Sequence, residues 1–359
     1  MELALRLPAA GWQPVVMAAE PQGPQRARLL DAGIAVHDIG TEFWRPKYSP
    51  GFWLNLRHSI DCIADICRRE QVAVLQSFLF WQNCIAVPAG EKAGVPVITG
   101  RRNTGEFKDR RPHYQWIENR ANRRTAAVVC NSEAVRADVL RRERIDAARV
   151  RVIPNGADVE HFASAVPKAL AALHPELGGG SFVVGTIGNL KRQKRHDRFL
   201  RLVAGAHKLN PEIRGVIVGR DLGELAELEK LRAALGLEGI VAFAGGTDDP
   251  AGYLRAFDLF LLTSDHEGMP NVVLEAMAAG CPVMATAIAP VQEVAPKGTG
   301  ILFPVDEEEA AAAMLAKLPL QRDWLAACAV AASGHVRDRY SMNAMVESYS
   351  ALYAELSRG

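Results

Sequence analysis

Residues 256–286, AFDLFLLTSDHEGMPNVVLEAMAAGCPVMAT, read as strand, loop, helix and strand, and they decide the fold. Residues 257–263 form a short apolar run, the pattern of a strand buried on both faces. Residues 264–269 are mostly polar and include Gly268, so they form a loop. Pro270 suits the first turn of a helix, where a missing N–H costs nothing. Gly280 suits the C-terminal cap, with Pro282 two residues beyond it. Residues 283–288 are apolar again and begin a second strand. The whole is one βαβ unit. Its loop ends a parallel strand and opens a helix, which is where open α/β sheets bind ligands.

The loop has the chemistry of an anion site. Free N–H groups and the dipole at a helix start favour phosphate above all. Gly268 lets the backbone come close to a ligand. Glu267 precedes the helix and Glu275 lies inside it. The rise from Asn271 to Glu275 is roughly 6 Å at about 1.5 Å per residue. One carboxylate can therefore work ahead of a bound diphosphate and the other beside it, each accepting from sugar hydroxyls. A sugar–diphosphate–ribose ligand laid across the helix end fits this spacing. Against it stands a plainer reading, an acid paired with the helix dipole and a second, solvated acid. Spacing alone does not name a nucleotide sugar.

At the same residues the chain resembles a known family. Glu267-Gly268-Met269-Pro270-Asn271 with Val272, then Glu275-Ala276-Met277-Ala278 and Gly280-Cys281-Pro282-Val283, are similar to the signature of retaining family 4 glycosyltransferases. That signature is a glutamate, seven residues and a second glutamate. The resemblance implies an α/β, GT-B fold, with two Rossmann-like domains facing across a cleft and a C-terminal helix crossing back to the first. It also implies a nucleotide-sugar donor and no cofactor or metal.

Composition agrees with two domains. The 359 residues are 49% hydrophobic and 23% charged, an ordinary globular balance. Lys plus Arg number 42 and Asp plus Glu 41, so no global field recruits nucleic acid. The six cysteines are dispersed, without paired metal-type spacing, and read as free thiols of a reducing cytosol. No apolar run approaches the ~20 residues that span a bilayer. Residues 1–11 lack the charged start and cleavage site of a signal peptide. The expected location is cytoplasmic.

Outward from the motif, strands and helices alternate, which argues a parallel sheet with helices on both faces. In the first half, strands are expected at 14–19, 35–39, 72–76, 95–99, 126–131 and 150–154, with helices at 25–32, 54–70, 83–93 and 133–142. Residues 1–11 read as the end of an amphipathic helix. An α/β domain of this kind normally opens with a strand and a glycine-rich loop before that helix. A truncated start is the preferred reading, since a missing central strand would leave a gap in the sheet with exposed ladder groups. VVCNSEAVRADV and RVIPNGADVEHF are similar to the end of the first domain in the same family. The expected divisions are 1–156, an acceptor-side domain; 157–335, a nucleotide-sugar domain; and 336–359, a helix packing back on the first.

Residues 101–124, RRNTGEFKDRRPHYQWIENRANRR, hold eight Lys or Arg against three acids, with Phe107, Tyr114 and Trp116 among them. One reading is an acceptor-side surface for an anionic lipid or a phosphate-bearing glycan, with peripheral contact at the inner face of the membrane. The other is a solvated helix face whose aromatics are core. Relatives in the family commonly place a histidine after the strand at 95–99; Arg101, Arg102 and Asn103 stand there, and they are the acceptor-side candidates.

In the second half, a strand at 181–187 leads into Gly188-Asn189-Leu190-Lys191-Arg192-Gln193-Lys194 and a helix from about 197. Glycine, then basic residues, then a helix is a phosphate-binding arrangement, although solvated lysines explain it equally well. In the family pattern an Arg after the glycine and a Lys further on contact the donor diphosphate. Lys194 matches the Lys; Asn189 stands at the place of the Arg, with Lys191 as its replacement. By resemblance, backbone near Gly245 holds the base.

The implied activity is transfer of a sugar from a nucleotide diphosphate to a glycan or lipid-linked acceptor hydroxyl with retention, in cell-surface polysaccharide or glycolipid biosynthesis. Lys194 and the helix start stabilise the leaving diphosphate, Glu267 holds the donor sugar and Glu275 the ribose. The alternatives are a nucleotide-sugar epimerase on the same fold, or a truncated, inactive donor-binding protein. A dehydrogenase is disfavoured, because no Gly-x-Gly-x-x-Gly follows a first strand.

Overall fold

The computed structural model of the chain describes residues 1–19, 24–40 and 49–358. Among these, twelve strands alternate with helices: β1 (Val15–Ala18), β2 (Ala35–Asp38), β3 (Leu75–Phe78), β4 (Val97–Arg101), β5 (Ala127–Cys130), β6 (Val150–Val152), β7 (Phe182–Ile187), β8 (Ile213–Val218), β9 (Val241–Gly245), β10 (Leu259–Leu262), β11 (Val283–Thr286) and β12 (Ile301–Phe303). Every ladder is parallel, as continuous apolar strands joined by helices require. The chain forms two compact units, one of residues 1–154 and 343–359, the other of residues 155–342.

The second unit is a six-stranded sheet in the order β12–β11–β10–β7–β8–β9. From β7 the chain winds outward through β8 and β9, then returns to β10 on the other flank and winds out through β11 and β12. This is a doubly wound order, and its reversal falls between β7 and β10. Helix His196–Leu209 buries Phe199, Leu200, Leu202 and Val203 against one face of the sheet. Helix Asn271–Ala278 buries Val273, Leu274, Ala276 and Met277 against the other.

In the first unit, β3–β4–β5–β6 form one sheet and β1–β2 a separate pair. No ladder joins β1 to β3 among the described residues, yet Val15 and Met17 pack into the same apolar cluster as Leu75. Helix Met342–Ser357 belongs to this unit from Asn343 onward. Tyr349, Leu352 and Tyr353 pack on Ile98, Ala127, Val129 and Ile153, and Tyr353 meets Trp12 edge-on at 5.4 Å.

Three sequence expectations move. The return to the first unit comes after Met342, not at 336, because Ala332, Val336 and Tyr340 are core of the second unit and Ala157 bridges Ser341. The first boundary falls at 154/155 rather than 156. The strand expected at 72–76 starts at Leu75. Gln71 has φ +51° and Val72 N–H donates back to Cys67, so the chain is still closing a helix there.

Tyr349 is 1% exposed, so Tyr349→Ala leaves a large cavity. It should cost about 3–5 kcal/mol in the first unit's unfolding, read by urea denaturation. A cost under about 1 kcal/mol would mean that the C-terminal helix does not help hold this unit together.

Candidate functional site

The carboxyl ends of β7 and β10, the two strands at the reversal, carry the loops with Gly188–Lys194 and Glu267. Gly188 follows β7 and donates its N–H to the Val218 carbonyl. Its own carbonyl lies so close to Gly219 that a Cβ there would stand 2.0 Å away, so a side chain at 219 would displace the turn. Gly219 N–H donates to the Gly245 carbonyl, and Gly245 takes φ +71° at the end of β9. Three glycines thus line the carboxyl ends of three adjacent strands, where Gly188 and Gly219 pack backbone to backbone.

The loop then makes a short 3-10 turn, Arg192–Lys194, and reverses at Arg195, with φ +51°. A non-glycine residue holds that conformation only when its surroundings compel it. Thr263 Oγ1 contacts the carbonyls of Lys194 and Arg195 at 3.0 Å each. The Arg195 guanidinium is held by Asp197 and Asp265. Buried Arg198 donates to the Thr263 carbonyl at 2.7 Å and pairs with Asp265 and Glu308. Gln193 Nε2 reaches the His266 carbonyl at 2.7 Å. These bonds stitch one loop to the other.

The stitching brings Lys194 Nζ within 2.7 Å of Glu267 Oε1, which also accepts from Ser264 Oγ at 2.7 Å. Thr286 Oγ1, at the end of β11, in turn donates to the Ser264 carbonyl. Glu267 is 8% exposed and doubly bonded, so its position is set. Helix Asn271–Ala278 begins beside it, with Pro270 at the N-cap and no side chain capping it. Val272 N–H has no acceptor among the described residues. Asn155 holds the entrance, with its N–H on Met269 Sδ and its side-chain amide on Asn271 Oδ1. Gly280, φ +72°, closes the helix as the sequence suggests.

Glu275 is different. Its carboxyl has no hydrogen-bond partner among the described residues. Burial pushes its pKa up to about 7, with Lys194 pulling the other way. A carboxyl in apolar surroundings with vacant acceptor positions suits the hydroxyls of a ligand. Lys191 and Asn189 are exposed on the first loop. His196, buried, contacts the Asn189 carbonyl at 3.4 Å, and desolvation depresses its pKa to about 4, so it is neutral. A cavity of about 460 Å³ opens beyond Lys191, lined also by Arg192, Arg195, His196, Glu224 and Asp265. Neither Glu267 nor Glu275 lines it, so it is not the place where the acids converge.

A family model described as Glycosyltransferase Family 4 matches residues 1–161, and one described as Glycosyl transferases group 1 matches residues 181–319. The chain belongs to the family 4 glycosyltransferases. It is 32% identical over 218 residues to a D-inositol 3-phosphate glycosyltransferase of Corynebacterium jeikeium, covering 58% of this chain and 52% of that one. It is 30% identical over 240 residues to the UDP-Gal:alpha-D-GlcNAc-diphosphoundecaprenol alpha-1,3-galactosyltransferase of Escherichia coli, covering 64% and 62%. The chain thus spans only about half to three-fifths of these relatives' lengths. HepE of Anabaena, crystallised with UDP and glucose, shares the GT-B fold at TM-score 0.83 and 21% identity over 98% of this chain and 94% of that one.

The acceptor-side candidates fare unevenly. Arg102 lies over the Phe78 ring at 5.4 Å, and Asn103 is exposed. Arg101 takes a different role from the expected one. It is 7% exposed and bonded to Glu143 and Asn122, at 2.9 Å each, and to Glu118. Lys108 joins both acids. Burial pushes Glu143 up, but Arg101 and Lys108 outweigh it and hold its carboxyl well below the usual range. The expectation that Arg101 meets an acceptor is therefore corrected: its charge is spent inside the protein.

The scaffold residues Thr263, Ser264, Asp265, Thr286, Arg195 and Arg198 were not singled out from the sequence. The available signal was a polar pair, Thr263-Ser264, ending an apolar strand. Two outcomes follow from the electrostatics. Arg101→Ala leaves Glu118 and Glu143 crowded together in the interior and should cost about 3–5 kcal/mol in urea denaturation. Glu275 has a folded pKa above its unfolded value near 4.5, so folding binds a proton between the two values. The cost of ionising the buried carboxyl is absent below pH ~4.5 and full above ~7. Glu275→Gln should therefore raise Tm relative to the parent at pH 8 and leave it nearly equal at pH 4.5. Equal Tm at both pH values would place that carboxyl in water.

Proposed function

We propose that this protein transfers a sugar from a nucleoside-diphosphate sugar to a hydroxyl of a glycan or lipid-linked acceptor, with retention at the anomeric carbon. The observation that carries the reading is that one cation at the sheet's reversal, Lys194, bonds Glu267 and also acts on Glu275. Glu267 is anchored by Lys194 and Ser264, Glu275 is free of hydrogen bonds among the described residues, and the Val272 N–H, between them in sequence, has no acceptor there. The sugar–diphosphate–ribose order of such a donor matches that layout.

In this reading the bond from C1 to the diphosphate oxygen breaks and negative charge grows on the leaving group. Lys194 exchanges its contact with Glu267 for the phosphate, and the Val272 N–H with the helix start adds a fixed positive end. Because both are in place before reaction, little reorganisation is needed as the charge develops. Glu267 orients the sugar hydroxyls, and Glu275 accepts from the ribose hydroxyls. Backbone at Gly188, Gly245 and Gly268 gives the ligand close approach. The acceptor hydroxyl attacks C1 on the departing face, and its proton passes to the leaving phosphate oxygen. The named relatives' inositol phosphate and diphosphoundecaprenol acceptors support an anionic or lipid-linked acceptor. Peripheral contact with the cytoplasmic face of the membrane through residues 101–124 is part of this reading. Helix Pro112–Asn122 supports it by presenting Trp116, 65% exposed, beside Arg111 and Arg120.

Calorimetry with UDP and GDP tests the donor site. Glu275→Gln and Lys194→Ala should each weaken the binding nucleotide by roughly ten- to a hundredfold, the worth of one charged hydrogen bond. Lys194→Ala should also lower transfer by about 10²–10³. Unchanged nucleotide affinity in both variants would remove the donor assignment.

A further inference from the structure

The first unit contains a second cavity, of about 640 Å³, that the donor chemistry does not use. Its lining comes from three helices, Pro50–Arg69, Phe80–Ala93 and Pro112–Asn122. Helix Phe80–Ala93 packs against both of the others and forms the floor. The middle of that helix, residues 84–90, is apolar around its circumference, with Gln82 and Asn83 before it and Glu91 and Lys92 after it. Ala86, Ala89 and Gly90 are buried, and Gly90 lies so tightly on Val97 that a Cβ would not fit. On its other side Trp81, Cys84 and Pro88 line the cavity. A helical segment apolar all round belongs inside protein or lipid, and one side of this one opens into a cavity instead.

The rim is aromatic and of one charge. Trp53 and Trp116 line the cavity while 49% and 65% exposed. Arg57, Arg120 and Arg124 line it too, and no Asp or Glu does. Arg124 is held by Glu91 at 2.9 Å. Arg57 and Arg120 have no hydrogen-bonded or ion-paired acid among the described residues. Exposed tryptophans beside arginines that make no ion pair among the described residues, above an apolar slot, match one occupant: a hydrocarbon chain below an anionic headgroup. The volume lies within the ~300–1,000 Å³ range of small-ligand sites. A neutral apolar ligand would leave Arg120 without a counter-charge and Arg57 with only the nearby Asp61, and an anionic sugar would leave the tryptophans and the slot unfilled.

We propose that this cavity takes the hydrocarbon chain of an anionic membrane lipid, with the headgroup phosphate held by Arg57 and Arg120. The proposal rests on the membrane contact proposed above and deepens it, by placing a lipid tail inside the protein. It is independent of the donor site.

The test uses the full chain with vesicles of phosphatidylcholine, alone or mixed with phosphatidylglycerol. Sedimentation reports membrane contact. Tryptophan quenching by phosphatidylglycerol brominated at mid-chain reports tail entry, and a Trp53→Phe/Trp116→Phe variant restricts the cavity signal to Trp81. We expect binding to the mixed vesicles and not to phosphatidylcholine alone, with Trp81 quenched. Arg57→Ala/Arg120→Ala should weaken vesicle binding by on the order of tenfold or more, at unchanged nucleotide affinity. A cavity-filling Cys84→Phe should abolish the Trp81 quenching. If the protein sediments but Trp81 is not quenched, the tail site is overturned and the membrane contact stands. If it does not sediment with anionic vesicles, both fall. Equal binding to neutral vesicles overturns the headgroup role of the arginines.

Discussion

Everything at the proposed donor site depends on Thr263. Its hydroxyl, at the end of β10, is shared between the carbonyls of Lys194 and Arg195, at the end of the loop that follows β7. The contact ties the two strands' loops together at the sheet's reversal and compels Arg195 into its left-handed conformation. Arg198 repeats the tie from below, through the Thr263 carbonyl. With the loops joined, Lys194 is brought to Glu267. A phosphate-binding lysine on an untied loop would spend entropy at each binding event, whereas here it has been ordered by folding.

The two glutamates of the motif show how environment divides one residue type into two tasks. Glu267 is bonded twice and sits against a cation, so its geometry is set before any ligand arrives. Glu275 is one turn and more into the helix, half-buried, with its acceptor positions vacant. Desolvation holds it near neutrality until something supplies donors. The first arrangement favours positioning near a reacting centre; the second favours capture of hydroxyls. Neither behaviour follows from being a glutamate.

The basic stretch of the first unit divides in the same way. Arg101 and Lys108 turn inward and neutralise Glu118 and Glu143 in the interior. Arg120 stays outside, next to Trp116 at the rim of an apolar cavity. A run of like charges in sequence thus becomes a buried network and a surface feature, according to which way each element's residues face.

The βαβ unit at residues 256–286, the parallel class, helix Glu133–Arg142 and the glycine stop at Gly280 were all legible in the sequence, because apolar periodicity and capping chemistry are local. Short elements without a strong pattern, such as helices Val159–Ser164 and Ala289–Val294 and strand β12, were not. That β1–β2 and β3–β6 share a core but no ladder among the described residues is a fact of the tertiary structure. Gly188, Lys194, Glu267 and Glu275 were named from spacing and resemblance, which specify residue types and intervals along the chain. That Lys194 meets Glu267, that Glu275 meets nothing and that Arg101 is buried were decided only by the tertiary structure. Those facts depend on contacts between residues about 20 to 70 positions apart, and a linear pattern carries no information about which of several like charges is desolvated.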